Sequence, residues 1–167
     1  SGGVSGGTQL TLGGQGDGAI TAPTDASTLI KNGPGLWTIA APVTGSGSVM
    51  VSGGSLVVLP GAGWSNQPNL RFGNSGVFEQ VAAGTGASVS YGSLGFLGGA
   101  GVVKSTFGGG GSSEIVFGSF SGRAVGAVGD IVLNGGSNGV TNRIAITGQA
   151  PGLLNSGVFF NGTRLAY

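Results

Sequence analysis

Short stretches of alternating apolar and polar residues, each ended by glycine, constrain the fold of this chain more than any other feature. They read TQLTL, LWTIA, SVMV, SLVVL, NLRF, VFEQ, SVSY, VVKSTF, SEIVF and RIAIT. A period of two residues, with turn signals every 8–12 residues or so, is typical of β-strands. No window of about ten residues keeps a helical period free of glycine. The sequence therefore predicts an all-β chain.

Glycine makes up 40 of the 167 residues, against roughly 7% in an average protein. The glycines keep no three-residue period, which excludes a collagen helix. Apolar residues are 39% of the chain and the mean hydropathy is +0.35, so the chain can bury a core, unlike a disordered linker. Four Asn-Gly pairs predict turns with positive φ. They are Asn32-Gly33, Asn134-Gly135, Asn138-Gly139 and Asn161-Gly162.

Charge and reactive side chains are scarce. Charged residues are 7% of the chain and the net charge is +1, which gives no electrostatic footprint for nucleic acid. Weak repulsion favours association, so we expect packing against copies of the chain. Cysteine and histidine are absent, which excludes disulfides, Ser-His-Asp and Cys-His catalysis and the usual zinc sites. We expect no metal, no cofactor and no enzymatic activity, and an extracellular or cell-surface location.

Two architectures fit the strand pattern. A β-sandwich would close two antiparallel sheets on one core. A β-solenoid would stack coils of about 20–25 residues with parallel strands, giving about six to eight coils. Sequence repetition and the uncharged surface favour the solenoid. No capping helix is visible over the exposed strand edges, so we expect the array to continue beyond these residues.

The run LIKNGPGLWTI resembles the autotransporter-associated β-strand repeat, whose core reads roughly L-x-K-x-G-x-G-x-L-x-[LI]. A matching close follows at GGSLVV, and LTLGGQGDGAI resembles the strand that precedes the motif. The loop between LIKNGPGLWTI and GGSLVV departs from the family pattern, with Val43 where an aromatic residue is expected. The motif residues are Leu29, Lys31, Gly33, Gly35, Trp37, Ile39, Gly53 and Leu56.

The resemblance implies a right-handed parallel β-solenoid (β-helix) in an exported, elongated protein. It covers residues 8–60, while 61–167 resemble more loosely the Gly-rich segments between such repeats; residues 1–167 then form one section. In this arrangement Leu29, Trp37 and Ile39 point inward. Gly33 and Gly35 form a tight corner. Lys31 is expected to reach solvent as a surface lysine.

The pentapeptide NSGVF occurs at residues 74–78 and again at 155–159. Repeated strings at a fixed separation are the signature of repeat architectures. We interpret the copies as corresponding strands in two units of about 80 residues each. The alternative interpretation is a chance echo.

Few groups offer chemistry. The carboxylates are Asp17, Asp25, Glu79, Glu114 and Asp130. None forms a close sequence pair of the kind that glycosidases need, and a solenoid lyase or hydrolase would require Asp130, Arg123 and Glu114 to converge. Asp17, in a stretch similar to a calcium-binding nonapeptide but out of register, is interpreted as a turn residue. The sequon at Asn161 is expected to be unmodified, and the glycine runs to be loops rather than phosphate sites.

Most aromatic residues are expected in the core, although a carbohydrate-stacking stripe is an alternative. Trp64 lacks a flanking strand pattern and is the best candidate for an exposed aromatic contact. Assembly or contact candidates are Trp64, Phe159, Phe160 and Tyr167. The predicted function is structural: a self-assembling section of a fibre, stalk or surface layer, with copies of itself as head-to-tail partner. The alternative is an adhesin that binds a glycan or a host protein.

Overall fold

The computed structural model describes residues 7–45, 47–82 and 86–166. This part of the chain contains 17 β-strands and no helix, so it has no helical segment able to cross a membrane. The strands are β1 Gly7–Leu12, β2 Gly18–Ile20, β3 Thr24–Lys31, β4 Leu36–Ile39, β5 Pro42–Thr44, β6 Ser48–Val51, β7 Ser55–Val58, β8 Gly63–Trp64, β9 Asn69–Phe72, β10 Gly76–Val81, β11 Ala87–Phe96, β12 Ala100–Thr106, β13 Ser113–Arg123, β14 Val128–Asn134, β15 Asn142–Ile146, β16 Val158–Phe160 and β17 Arg164–Leu165. The all-β prediction is confirmed.

The strands form two sheets. Sheet A has nine strands in the order β15-β13-β11-β9-β6-β3-β5-β8, with β1 paired to β3; it is parallel and curls into a half-barrel. Sheet B has eight strands in the order β17-β16-β14-β12-β10-β7-β4-β2, and is mixed because β17 pairs antiparallel with β16. Every other recorded strand pair is parallel, so the antiparallel pairing that a sandwich requires is not the rule here.

The chain visits the sheets in turn, and we call one passage from a strand to its neighbour in the same sheet a circuit. One column of sheet B runs through Gly18, Trp37, Leu56, Phe78, Val103, Ile131 and Phe160, which are successive pairing partners. No circuit along this column is shorter than the one before it. The last, from Ile131 to Phe160, is about half as long again as the first, from Gly18 to Trp37. The expected size of about 20–25 residues is too small for the later circuits.

Sheet A widens in the same way. Its column runs through Leu10, Leu29, Val49, Leu70, Leu94 and Phe120. Each interval between partners is longer than the preceding one, and the last exceeds the first by roughly a third. In sheet B the increase begins after Leu56, near the point where the family-like stretch, residues 8–60, was predicted to end.

Inward-facing side chains of both sheets meet in one core. Leu29 and Ile39 are buried as predicted, and Leu56 is buried as well. Trp37 is half-buried, packs on the core and has no partner for its indole N–H in the described part of the chain. Farther along, Phe72 and Phe96 stack with ring centroids 5.2 Å apart. Stacked large side chains thus fill the space that longer circuits create.

A third row of pairing occupies the early circuits only. The first residues of β3 pair with β5, and β5 pairs with β8, whereas the last residues of β3 pair with β6. The row ends at β8 because the next long strand, β11, pairs with β9 only through Leu94–Phe96. The first half of β11 is left with a strand on one side alone, β13.

The two NSGVF copies lie three circuits apart on sheet B, in β10 and β16. They are one residue out of register, because Phe78 shares its column with Phe160 rather than Phe159. A one-residue shift reverses the faces, and Val158 is buried where Val77 is half-exposed. The prediction of equivalent strands is therefore right for the sheet and wrong for the side chains.

The turn prediction is confirmed. In all four Asn-Gly pairs the glycine has positive φ, and Asn161 itself has φ of 49°. Asparagine tolerates this region better than most residues because its side chain can bond locally. The Oδ1 atom of Asn161 also makes a long-range bond, accepting the N–H of Leu133 in β14 at 3.0 Å.

Candidate functional site

The corners that lead from sheet A to sheet B stack directly on one another in the early circuits. Three of them lie at residues 13–17, 32–35 and 52–54. A Cβ on Gly33 would lie 2.8 Å from the carbonyl oxygen of Gly14, and one on Gly54 would lie 2.5 Å from that of Gly35. Real Cβ atoms do not approach backbone this closely, so glycine is required by space at these positions.

Lys31 joins two of these corners from inside. Its side chain is fully buried, and Nζ donates to the carbonyl oxygens of Asn32 at 3.3 Å, Gly33 at 2.7 Å and Gly53 at 3.1 Å. An ammonium group has three donors, and here three backbone acceptors surround it. The side chain therefore clamps its own corner to the next one.

The prediction that Lys31 is a solvated surface lysine is wrong. Residues two apart in a strand share a face, so Lys31 lies on the same face as Leu29, and β3 is buried at both. Burial lowers the pKa of Lys31, and the nearby carboxylate of Asp17 opposes this shift. The period of two places Lys31 on the same face as Leu29, and this could have predicted its burial. The charge of lysine led instead to the prediction of a surface position.

Arg123 occupies the same column as Lys31 in a later circuit. The column runs through Leu12, Lys31, Val51, Phe72, Phe96 and Arg123. Arg123 donates from Nε to Oδ1 of Asn155 at 2.7 Å and from one terminal nitrogen to the carbonyl of Ala127 at 2.6 Å. Sequence reasoning missed this second corner clamp, because no motif marks it.

The same column explains what the two NSGVF copies share. From Val51 onward, each residue of the column packs against a glycine that lies in a strand of sheet B or in the corner just before such a strand. A Cβ on that glycine would collide with the column residue. The pairs are Val51 with Gly76, Phe72 with Gly101, Phe96 with Gly129 and Arg123 with Gly157. The glycine of each copy therefore has an equivalent role even though the strands that follow are out of register.

The acidic side chains do not converge. Glu79 pairs with Lys104 at 3.2 Å, and Glu114 pairs with Arg143 at 2.7 Å. Asp130 accepts the N–H of Gly162 at 2.9 Å, and Asp17 accepts that of Leu36 at 2.7 Å. Asp17 thus acts as a turn residue, as predicted.

The combination needed for a lyase or hydrolase groove is likewise not assembled. Asp130, Arg123 and Glu114 each bond to a different partner. Within the described ranges no three acidic side chains gather where a metal ion could be held.

Trp64 lies where the third row of strands ends. The predicted exposure holds only for part of the ring, because the side chain is half-buried in β8, with its ring centroid 6.2 Å from that of Phe78 and 6.0 Å from that of Tyr91. Its remaining surface lines a groove of about 270 Å³. The groove is lined by Ala62, Gly63, Trp64, Ser65, Asn66, Gln67, Ser88, Val89 and Ser90.

The other contact candidates are at the far end of the molecule. Phe159 and Phe160 are half-buried in β16, where they pair with Leu165 and Arg164. Phe160 lines a cavity of about 480 Å³ with Ile131. Tyr167 lies outside the described residues.

Comparison of the chain with protein-family models, with curated proteins and with solved structures finds no match.

Proposed function

We propose that this chain is a section of a right-handed parallel β-solenoid with a structural role in an extracellular fibre, stalk or surface layer. The observation that carries the proposal is the unbroken parallel pairing of β2, β4, β7, β10, β12, β14 and β16, in which each circuit binds the next through the same backbone edge. Repeats that contact only their neighbours build quasi-one-dimensional proteins.

The physical basis of such a role is mechanical. Parallel strands are spaced by about 4.8 Å along the stack, and every circuit adds a row of backbone hydrogen bonds across that spacing. Lys31 adds side-chain bonds between successive corners. Columns of buried Leu, Val and Phe continue through the interior, so bending the rod would open both sheets and the core together.

The composition supports close packing of neighbouring rods. Charged residues are 7% of the chain and its net charge is +1, so neighbouring rods repel one another weakly. Copies of the chain are therefore the partners that we assign.

Circuit length restricts how such copies join. A head-to-tail contact would bring a long circuit, Ile131 to Phe160, against one about a third shorter, Gly18 to Trp37. It would also compete with β17, which pairs with β16 on its otherwise open side. Lateral packing of rods meets neither obstacle. The solenoid fold and the mode of assembly can each be right without the other, so they need separate tests.

The fold is tested by paired cysteines, since the chain has none of its own. Thr28 and Ser48 are pairing partners in β3 and β6, at a spacing of about 4.8 Å that a disulfide spans. We expect Thr28→Cys with Ser48→Cys to cross-link within one chain. The matched control, Thr28→Cys with Met50→Cys, is two residues out of register and should not. Equal cross-linking of both pairs would overturn the parallel register.

Electron microscopy of the purified chain then tests assembly. Filaments or sheets with a regular repeat are the expected result. Dispersed single rods would overturn self-assembly and leave the solenoid fold standing. Particles without an elongated shape would overturn the structural role itself.

A second candidate function, adhesion to a glycan or a host protein, is favoured by one observation, the groove at Trp64. The groove combines a partly exposed aromatic ring with uncharged polar neighbours, which are the groups that a surface-binding protein needs at a contact.

A further inference from the structure

The groove at Trp64 arises from the widening of the circuits. β9 has four residues and β11 has ten, so β9 covers only the second half of β11. Opposite the first half lies the loop that follows β8, where the N–H of Gly92 donates to the carbonyl of Pro68 at 3.0 Å. The result is a local gap in the pairing, with the edge of a long strand left open along Ser88–Ser90.

The polar side chains around this gap are not used by the described part of the protein. Asn66, Gln67, Ser88 and Ser90 make no side-chain hydrogen bond within those ranges, and neither does the indole N–H of Trp64. Elsewhere the chain uses such groups internally, as when Asn142 bonds to three backbone carbonyls. Polar groups that are not engaged within the protein can bond a ligand by exchanging only their bonds to water.

The chemistry of the lining restricts the ligand. The lining contains neither acidic nor basic side chains, so a charged ligand would find no ion partner there. The two amides each donate and accept hydrogen bonds, as do the three serine hydroxyls of the lining. Trp64 adds an N–H donor and an aromatic surface held in place by Phe78 and Tyr91. Such a set suits a neutral ligand with several hydroxyl groups and apolar C–H surface between them.

We propose that the groove lined by Trp64, Asn66, Gln67, Ser88 and Ser90 is a binding site for a neutral carbohydrate. Its volume of about 270 Å³ fits one or two sugar units of a longer glycan that continues along the outside of the molecule. The site deepens the adhesion candidate and does not depend on the chain forming filaments. It requires only the local geometry of β8 and β11.

Tryptophan fluorescence tests the proposal. The chain has two tryptophans, and Trp37→Phe leaves Trp64 as the only reporter. Cellotriose, maltotriose and chitotriose are titrated to about 10 mM, a range that covers millimolar complexes. A sulfated tetrasaccharide from heparin is the charged comparator. We expect at least one neutral sugar to shift the emission, and the sulfated one to bind at least about tenfold more weakly because it must desolvate its charge without a partner.

Asn66→Ala with Gln67→Ala should weaken the binding of that sugar about tenfold or more, because each lost amide removes bonds to the ligand. These side chains are exposed, so folding should be unchanged by circular dichroism and by urea unfolding. Gln15→Ala removes another exposed amide, in a remote corner, and is the matched control. No emission change with any neutral sugar, tighter binding of the sulfated one, or equal binding by the double variant would overturn the site. Electron micrographs of the double variant report on the structural proposal separately.

Discussion

The corner at Asn32–Gly35 and the corner at Ala124–Ala127 connect the same two sheets but are built differently. At the first, backbone fits against backbone: a Cβ on Gly35 would collide with the carbonyl of Gly16 in the preceding circuit. At the second, no described atom lies within 4 Å of the position that a Cβ on Gly126 would take, and Val125 is fully exposed. The early corner is fixed by the circuit beneath it, whereas the tip of the late corner, at Val125 and Gly126, stands away from its neighbours.

Circuit length explains this difference. The short early circuits, such as Leu10 to Leu29, leave no spare chain, so every corner must follow the one before it. The longer late circuits, such as Val103 to Ile131, have enough residues for the tip of a corner to project away from the circuit beneath it. Arg123 then holds the corner through its side chain. The early corner thus combines close backbone stacking with the clamp by Lys31, whereas at the tip of the late corner the side chain of Arg123 acts without such stacking.

Replacing Gly35 by alanine should have the largest effect on this contrast. The added methyl group meets a backbone carbonyl that cannot turn aside, so we expect a loss of about 3 kcal/mol in the free energy of unfolding. Gly16→Ala is the control, since nothing lies within 4 Å of its Cβ position. Urea unfolding of both variants provides the measurement. Equal, small losses would mean that the early corners are not closely stacked.

Lys31→Met should rank second. The variant keeps an apolar stem but leaves three carbonyl oxygens without their donor, and we expect a loss of about 2 kcal/mol. Lys104→Met is the comparison, because Lys104 is partly exposed and pairs with Glu79; a surface pair contributes at most about 1 kcal/mol. Thermal or urea unfolding distinguishes the two, and a reversed order would show that the clamp does not hold the corner.

Tyr91→Phe tests the core beside the groove. The buried Tyr91 hydroxyl donates to Oε1 of Gln80 at 2.9 Å. Its loss leaves a buried acceptor unpaired, at a cost of about 1.5 kcal/mol in the free energy of unfolding. Urea unfolding at neutral pH measures this loss.

The Tyr91→Phe variant should also change how the free energy of unfolding depends on pH. Burial raises the pKa of Tyr91 above its usual value of 10.0. The unfolded chain therefore releases this proton above about pH 10 while the folded chain keeps it, so the stability of the wild type falls as pH rises through that range. Tyr91→Phe should lack this part of the fall. Parallel pH profiles of the two proteins between neutral and alkaline pH would contradict the burial of the hydroxyl.

Gly126→Ala should have the smallest effect. Space is available at this late corner, and the remaining cost is that of a positive φ of 82° for a residue with a side chain, about 1 kcal/mol. A loss as large as that of Gly35→Ala would show that late corners are stacked as closely as early ones. Urea unfolding under the same conditions allows direct comparison.

Much of the fold could be predicted from sequence because local alternation determines it. Strands such as Gly7–Leu12 and Asn69–Phe72 carry the period of two in their own residues, and positive φ at Gly33 or Gly162 follows from the Asn-Gly pairs.

Other features depend on residues in neighbouring circuits. The inward direction of Lys31 depends in part on Gly53, 22 residues later, whose carbonyl completes the set of acceptors begun by Asn32 and Gly33. Likewise Trp64 is half-buried because Phe78 and Tyr91 come to lie beside it. The register shift between the two NSGVF copies depends on how many residues each intervening circuit uses, which no local pattern records.

Steadily growing circuits also bear on the order in which the chain can fold. Leu29 pairs with Leu10 in the preceding circuit and with Val49 in the following circuit. Each pairing partner therefore lies about one circuit away along the chain. Folding of repeat arrays can start at one place and spread to the next unit. Because the shortest circuits come first and short loops close at slightly lower entropic cost, the amino-terminal circuits can form while later residues are still being synthesised. Each completed circuit then serves as a template edge for the next, so the chain can fold in the direction in which it is made.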